Sequence, residues 1–220
     1  MRFAIPALFG LIGFAVLCTL GVWQLQRMEW KHAMIAEIEA RIDAEPAALP
    51  DMPAEAADNF APVALTGRID GEPLRVLGAW RAGGTGFRVV TPVETGGRRI
   101  LVDLGVVPLD AGETIALPDV PIEITGNLNW PDDANAGTPD PDGDTWFARD
   151  VAAMAAARGT EPVLVVAAAT TPPLAVTPVP VGTDGIPDNH LGYAIQWFGL
   201  ATVWLGMTVF LLWRIRRRTL

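Results

Sequence analysis

The chain holds two histidines, His32 and His190, and one cysteine, Cys18. These side chains are the ones best suited to hold a metal or move a proton near neutral pH. All three lie in or beside long apolar runs close to the two ends of the chain. His190 opens the stretch Asn189-His190-Leu191-Gly192-Tyr193-Ala194-Ile195-Gln196-Trp197-Phe198-Gly199-Leu200, which runs on uncharged to Trp213. On a helix of about 3.6 residues per turn, His190, Tyr193 or Ala194, Trp197, Ala201 and Trp204 share a face. A histidine above such a face admits two readings. It can cap the helix or bond a lipid headgroup. It can also ligate a large planar cofactor, since imidazole is the commonest axial ligand to haem iron. Tyr193, Trp197 and Trp204 would then supply an aromatic wall at membrane depth. Trp and Tyr also form ordinary interface belts, so the residues alone leave both readings open.

The middle of the chain offers little competing chemistry. It has no histidine or cysteine between His32 and His190, so no HExxH, zinc cluster, His-based dyad, disulfide or cysteine nucleophile can form there. No Walker or Rossmann fingerprint is present. Gly83-Gly84-Thr85-Gly86 resembles a phosphate loop in glycine content, but no lysine follows and no helix begins, so it reads as a hairpin turn. Asp140, Asp142 and Asp144 alternate as in a calcium loop; the late glutamate is missing, and a solvated acidic loop is the better reading. An enzyme acting on a small substrate thus has little support in the residues, with carboxylate or hydroxyl chemistry the one route left open.

The elements that must position these residues can be read from composition. The chain has 220 residues, half of them hydrophobic, with a net charge of −9. That length suits one domain plus membrane segments. Carboxylates dominate between the two histidines, whereas the C-terminal tail is purely basic, with Arg214, Arg216, Arg217 and Arg218. An acidic domain is a poor partner for nucleic acid. Phe3 to Val22 is apolar apart from Thr19 and is long enough to span a bilayer. It lacks the short core and cleavage site of a signal peptide, and bulky Leu17 before Cys18 argues against a lipoprotein. We read it as an uncleaved span with Trp23 at the interface. The four arginines after the second span place both termini in the cytoplasm. The acidic domain then lies outside, in a bacterial-type periplasm, and the chain is a multi-pass inner-membrane protein in contact with lipid. Arg2 flanks the first span on the inner side, with Arg27 and Lys31 on the outer side; the second span decides the orientation.

The first helix continues at three- and four-residue spacing through Leu25, Met28, His32, Ile35, Ile38 and Ile42 to about Ala44, and Pro46, Pro50 and Pro53 begin a linker. Strands are expected at 63–69, 74–80, 87–94 and 99–106, separated by the turn signals Asp70-Gly71, Gly83-Gly84 and Gly96-Gly97. Further strands are expected at 121–129 and 161–168, with a loop at 130–145, a short Ala-rich helix at 150–158 and an extended proline-rich return at 170–187. The expected fold is thus an α+β membrane protein, with N- and C-terminal transmembrane helices flanking a small antiparallel sheet or barrel with one short helix. Its divisions are 1–24 (first span), 25–58 (helical extension and linker), 59–188 (periplasmic β-rich domain), 189–213 (second span) and 214–220 (tail). Small residues let helices approach closely. One such seam runs through Gly192, Gln196, Gly199, Val203 and Gly206, another through Gly10, Gly13, Leu17 and Gly21. The plainest expectation is that the two spans pack on each other.

The block Gly21-Val22-Trp23-Gln24-Leu25-Gln26-Arg27-Met28-Glu29-Trp30-Lys31 resembles the first signature of the surfeit-locus cytochrome oxidase assembly family. Asn189-His190-Leu191-Gly192-Tyr193, followed by Trp197-Phe198-Gly199-Leu200, is similar to its second. Between them Gly86-Phe87-Arg88-Val89-Val90-Thr91-Pro92, Ile100-Leu101-Val102-Asp103-Leu104-Gly105-Val106-Val107-Pro108 and Trp146-Phe147-Ala148-Arg149-Asp150 resemble family blocks in the same order. The family commonly has Asn-Arg-Gly where this chain has Asp103-Leu104-Gly105. A bacterial-type member of this family implies an accessory protein for building haem–copper cytochrome c oxidase, not an enzyme with turnover of its own. It would hold haem a and assist its delivery to subunit I, close to haem A synthase. His190 stands at the family's candidate iron-ligand position. Tyr193, Trp197 and Trp23 would line the macrocycle, and Arg27 or Lys31 would pair with a propionate. His32 is a candidate for the second axial ligand, although a straight first helix carries it more than two turns above the interface. The alternative is a scaffold without a cofactor, stabilising an oxidase subunit through helix packing.

Overall fold

A computed structural model describes residues 3–80, 84–110 and 117–219. The chain divides into two compact units, Met1–Glu37 with Thr183–Leu220, and Ile38–Gly182. Arg2 and Gly83, which figure in the sequence reading, lie outside the described residues.

The first unit consists of most of α1 (Ala4–Ile42) and all of α4 (His190–Thr219). Both helices are long and apolar enough to cross a membrane. The second unit begins with the last turn of α1 and a single turn, α2 (Glu55–Asp58). It continues with strands β1 (Pro62–Ile69), β2 (Leu74–Trp80), β3 (Gly84–Thr95), β4 (Arg98–Pro108), β5 (Ile122–Leu128), β6 (Thr145–Trp146) and β7 (Leu164–Thr171). Helix α3 (Val151–Arg158) lies between β6 and β7. The expected strands fall on β1 to β5 and β7, the expected short helix is α3, and β7 begins three residues later than its expected strand.

Five strands close into a barrel in the order β1-β5-β7-β4-β3, with β1 returning to β3. Closure depends on the length of β3. Its first part pairs with β2 from Gly84 to Val90, and its last part pairs with β1 at Val93 and Glu94. The β3–β4 hairpin turns at Gly96-Gly97, whose φ values of 57° and 77° are the left-handed conformation that a two-residue type I′ turn demands. Most pairings are antiparallel, as close turn spacing requires. Two are parallel: β4 with β7, and β2 with β6. The chain reaches β7 only after β5, β6 and α3, a crossover long enough to return it in the same direction.

Ile100–Val107 of β4, apart from Asp103, and the first half of β7, from Leu164 to Ala167, are apolar because they are buried on both faces. Ile100, Val102 and Leu104 of β4, with Val165 and Ala167 of β7, point into the barrel beside Val63, Val89, Ile122, Ile124 and Leu128. Leu101, Leu164 and Val166 point outward and are covered by Val151, Met154 and Ala155 of α3 and by Trp146. α3 is fixed at both ends. Asp150 caps it by accepting the Ala153 N–H at 2.9 Å, and Gly159 closes it in the left-handed conformation with φ 64°. Gly105 is a second obligatory glycine. Its φ is 126°, and a Cβ there would run into the backbone of Thr177, which bridges to Val106.

Candidate functional site

The helix unit is an antiparallel pair, and the contacts along it run in opposite sequence directions. Gly10 faces Thr208, Gly13 faces Trp204, and Gly21 faces Phe198. At each of these glycines a side chain would overlap the partner helix. Trp204 Nε1–H donates to the Gly10 carbonyl at 2.9 Å and its ring lies 5.4 Å from that of Phe9. Ala194 and Ala201 are buried in the same contact, at 1% and 2% exposure. The glycine seam of α1 thus receives the large residues of α4. The glycines of α4 lie elsewhere: Gly192, Gly199 and Gly206 have nothing within 4 Å, and Gln196 is exposed.

His190 is the first residue of α4 and is half-buried. Its Nδ1 lies 2.9 Å from Oε1 of Gln24, which is itself only 9% exposed. An amide oxygen can only accept, so in this contact Nδ1 is the donor and Nε2 is the ring nitrogen left for a ligand. A fixed tautomer with one nitrogen bonded and the other available is the usual arrangement of a metal-binding histidine. The donor set therefore fits an axial imidazole.

Three further contacts hold the mouth of the pair. His32 Nε2 meets Asp188 Oδ2 at 2.5 Å. Asp188 also accepts the backbone N–H of His190, and Lys31 Nζ donates to the carbonyl of Pro187. The hydrogen bond from His32 holds the Asp188 carboxyl below the usual carboxylate range, and the His190 backbone N–H acts in the same direction. His32 is thus placed against Asp188, and the His190 ring is placed against Gln24.

The remaining sequence-predicted residues are distributed as follows. Tyr193 and Trp23 are exposed, at 47% and 53%, and Trp197 is half-buried. Trp204 belongs to the helix–helix contact. The Arg27 guanidinium lies over the Trp30 ring at 3.9 Å. Gln24, Asp188 and Phe198 are the residues that the sequence reading did not assign to the site. Gln24 had a legible signal: it continues the seam Gly10, Gly13, Leu17, Gly21 by one further three-residue step, and it is a polar residue where that seam would otherwise be apolar.

Fold and site together define a class: a membrane protein with two terminal spans, an intervening β-barrel domain, and a tautomer-fixed histidine at the start of the second span. Residues 11–202 match the SURF1 family, and the chain belongs to that family. It is 33% identical over 217 residues to a SURF1-like protein of Monosiga brevicollis, covering 87% of this chain and 82% of that one. Surfeit locus protein 1 of Rattus norvegicus is 32% identical over 210 residues, covering 82% of this chain and 67% of its own length. The same protein of Homo sapiens is 31% identical over 228 residues, covering 87% and 73%. These relatives are eukaryotic.

Proposed function

We propose that this chain serves the biogenesis of haem–copper cytochrome c oxidase by holding haem a through Nε2 of His190 and assisting its delivery to subunit I. The observation that carries the reading is the His190–Gln24 hydrogen bond, which leaves Nε2 as the open nitrogen. Bound haem a would supply an iron centre able to accept that lone pair. The chain's own part is to fix the imidazole: Gln24 sets its tautomer, while Asp188 and Lys31 hold the start of α4. Exposed Tyr193 and Trp23, with Trp197, offer aromatic surface beside it. Arg27 remains our candidate for a propionate. The basic residues at the C-terminal end of α4 support a bacterial inner-membrane location with both termini cytoplasmic and the barrel domain periplasmic. Haem A synthase and subunit I are the partners this reading requires. Co-expression with a haem A synthase, followed by purification and absorption spectroscopy, tests it. The expected product carries haem a; a protein that stays colourless beside an active synthase would sink the proposal.

The scaffold reading is favoured by a different observation, the open seam of Gly192, Gly199 and Gly206 on α4. Under it, a transmembrane helix of an oxidase subunit packs there, and Gly199→Leu abolishes oxidase maturation while His190→Ala leaves it intact.

A further inference from the structure

The unit Ile38–Gly182 carries a cluster of charged side chains of its own. Asp103 on β4 is completely buried. Its Oδ2 accepts from Arg88 Nη1 at 2.5 Å and lies 3.7 Å from Arg149 Nη1, and its Oδ1 accepts the Gly105 N–H at 3.1 Å. Burial pushes the Asp103 carboxyl above the usual carboxylate range, against the opposing pull of Arg88 and Arg149. Both arginines are mostly buried, with side chains 13% and 17% exposed. The outer edge of Arg149 points the other way. Its Nε and Nη2 donate to the two oxygens of Asp133 at 2.6 and 3.3 Å, a two-pronged grip on a carboxylate. Asp133 comes from the acidic loop between β5 and β6, and its side chain is 38% exposed. Two cavities of about 290 Å³ each are bounded by Arg88, Asp133 and Arg149, one continuing past Val76 and Phe147, the other past Asn129 and Val181.

We infer that Arg149 and Arg88 form a carboxylate-binding site whose internal occupant is Asp133, and that a carboxylate from a small organic acid or an acidic protein segment takes its place. Charge supports the exchange. With Asp133 withdrawn, Nε and Nη2 of the mostly buried Arg149 lose the carboxylate they grip, and a mostly buried guanidinium edge calls for an anion in its place. Geometry supports it as well, because Asp103 holds both guanidinium groups in place before any ligand arrives, and the grip on Asp133 shows the binding mode. The residues come from three blocks that stand out in the sequence: Arg88 from 86–92, Asp103 from the departure at 103–105, and Arg149 from 146–150. The site lies wholly within this unit and does not depend on His190.

The test uses the full chain in detergent and follows the Arg149 Nε–H resonance by NMR during titration with acetate, with chloride as the ionic-strength control. Asp133→Ala should reach half-saturation at an acetate concentration at least about tenfold below wild type, because the tethered competitor is gone. Arg149→Lys should lose the stabilisation by acetate seen in thermal melts of Asp133→Ala; if that variant does not fold, the comparison of Asp133→Ala with wild type decides alone. The peptide acetyl-Ala-Glu-Ala-amide separates the two sources. Tighter binding than acetate assigns the site to an acidic protein segment, and equal binding assigns it to small acids. Equal acetate midpoints in wild type and Asp133→Ala, or a response that chloride reproduces, would overturn the inference.

Discussion

At His190 two neighbours act on different atoms, Gln24 on the ring Nδ1 and Asp188 on the backbone N–H. Replacing Gln24 by Leu keeps the bulk and removes the acceptor. The expected result is an intact helix pair with haem a affinity reduced about 10–100-fold, the usual effect of losing the partner of a ligating histidine. Unchanged affinity in spectrophotometric titration would show that Gln24 does not set the ligand. Asp188 gives a pH prediction. Its folded-state pKa is depressed, so its pair with His32 contributes stability above the unfolded value of about 4 and loses it as pH falls through the lower folded value. In a ¹³C-carboxyl titration the Asp188 midpoint should lie below about 4 and rise in His32→Ala; an unmoved midpoint would remove His32 as the cause. His190 was legible because the chain has so few histidines. Gln24 was harder to single out, since a polar residue at the end of an apolar run also reads as an ordinary interfacial side chain.

The two spans illustrate how glycines of similar spacing can do different things. Gly13 lies under Trp204, whereas Gly199 faces open space. Gly13→Leu should destabilise the helix pair by about 1–3 kcal/mol through overpacking. Gly199→Leu should stay within about 0.5 kcal/mol of wild type. Equal losses in reversible unfolding from detergent micelles would contradict the assignment of the seams. From sequence the two stripes look alike, because spacing shows that a face is smooth but not which large residues fill it. Strands β1 to β4 were legible for a local reason, since Asp70-Gly71 and Gly96-Gly97 mark their turns. The parallel pairing of β4 with β7 was not. Apart from Asp103 the stretches that pair, Leu101–Asp103 and Leu164–Val166, are apolar, and their pairing depends on a return past β5, β6 and α3 that no local pattern specifies.

The molecule as a whole divides its labour between two units. The barrel unit buries β4 and β7 on both faces and carries the Asp103–Arg88–Arg149 cluster on its own framework. The helix unit carries the histidines, and there the contacts that matter are between residues far apart in sequence, such as Gln24 with His190 and His32 with Asp188. Membership in the SURF1 family follows from the chain nearly end to end, while the role of any one side chain must come from its contacts. The most direct measurement is the absorption spectrum of protein co-expressed with a haem A synthase, compared among wild type, His190→Ala and His32→Ala. Haem a is expected in wild type and His32→Ala and is lost in His190→Ala. Equal haem a content in wild type and His190→Ala would contradict this expectation.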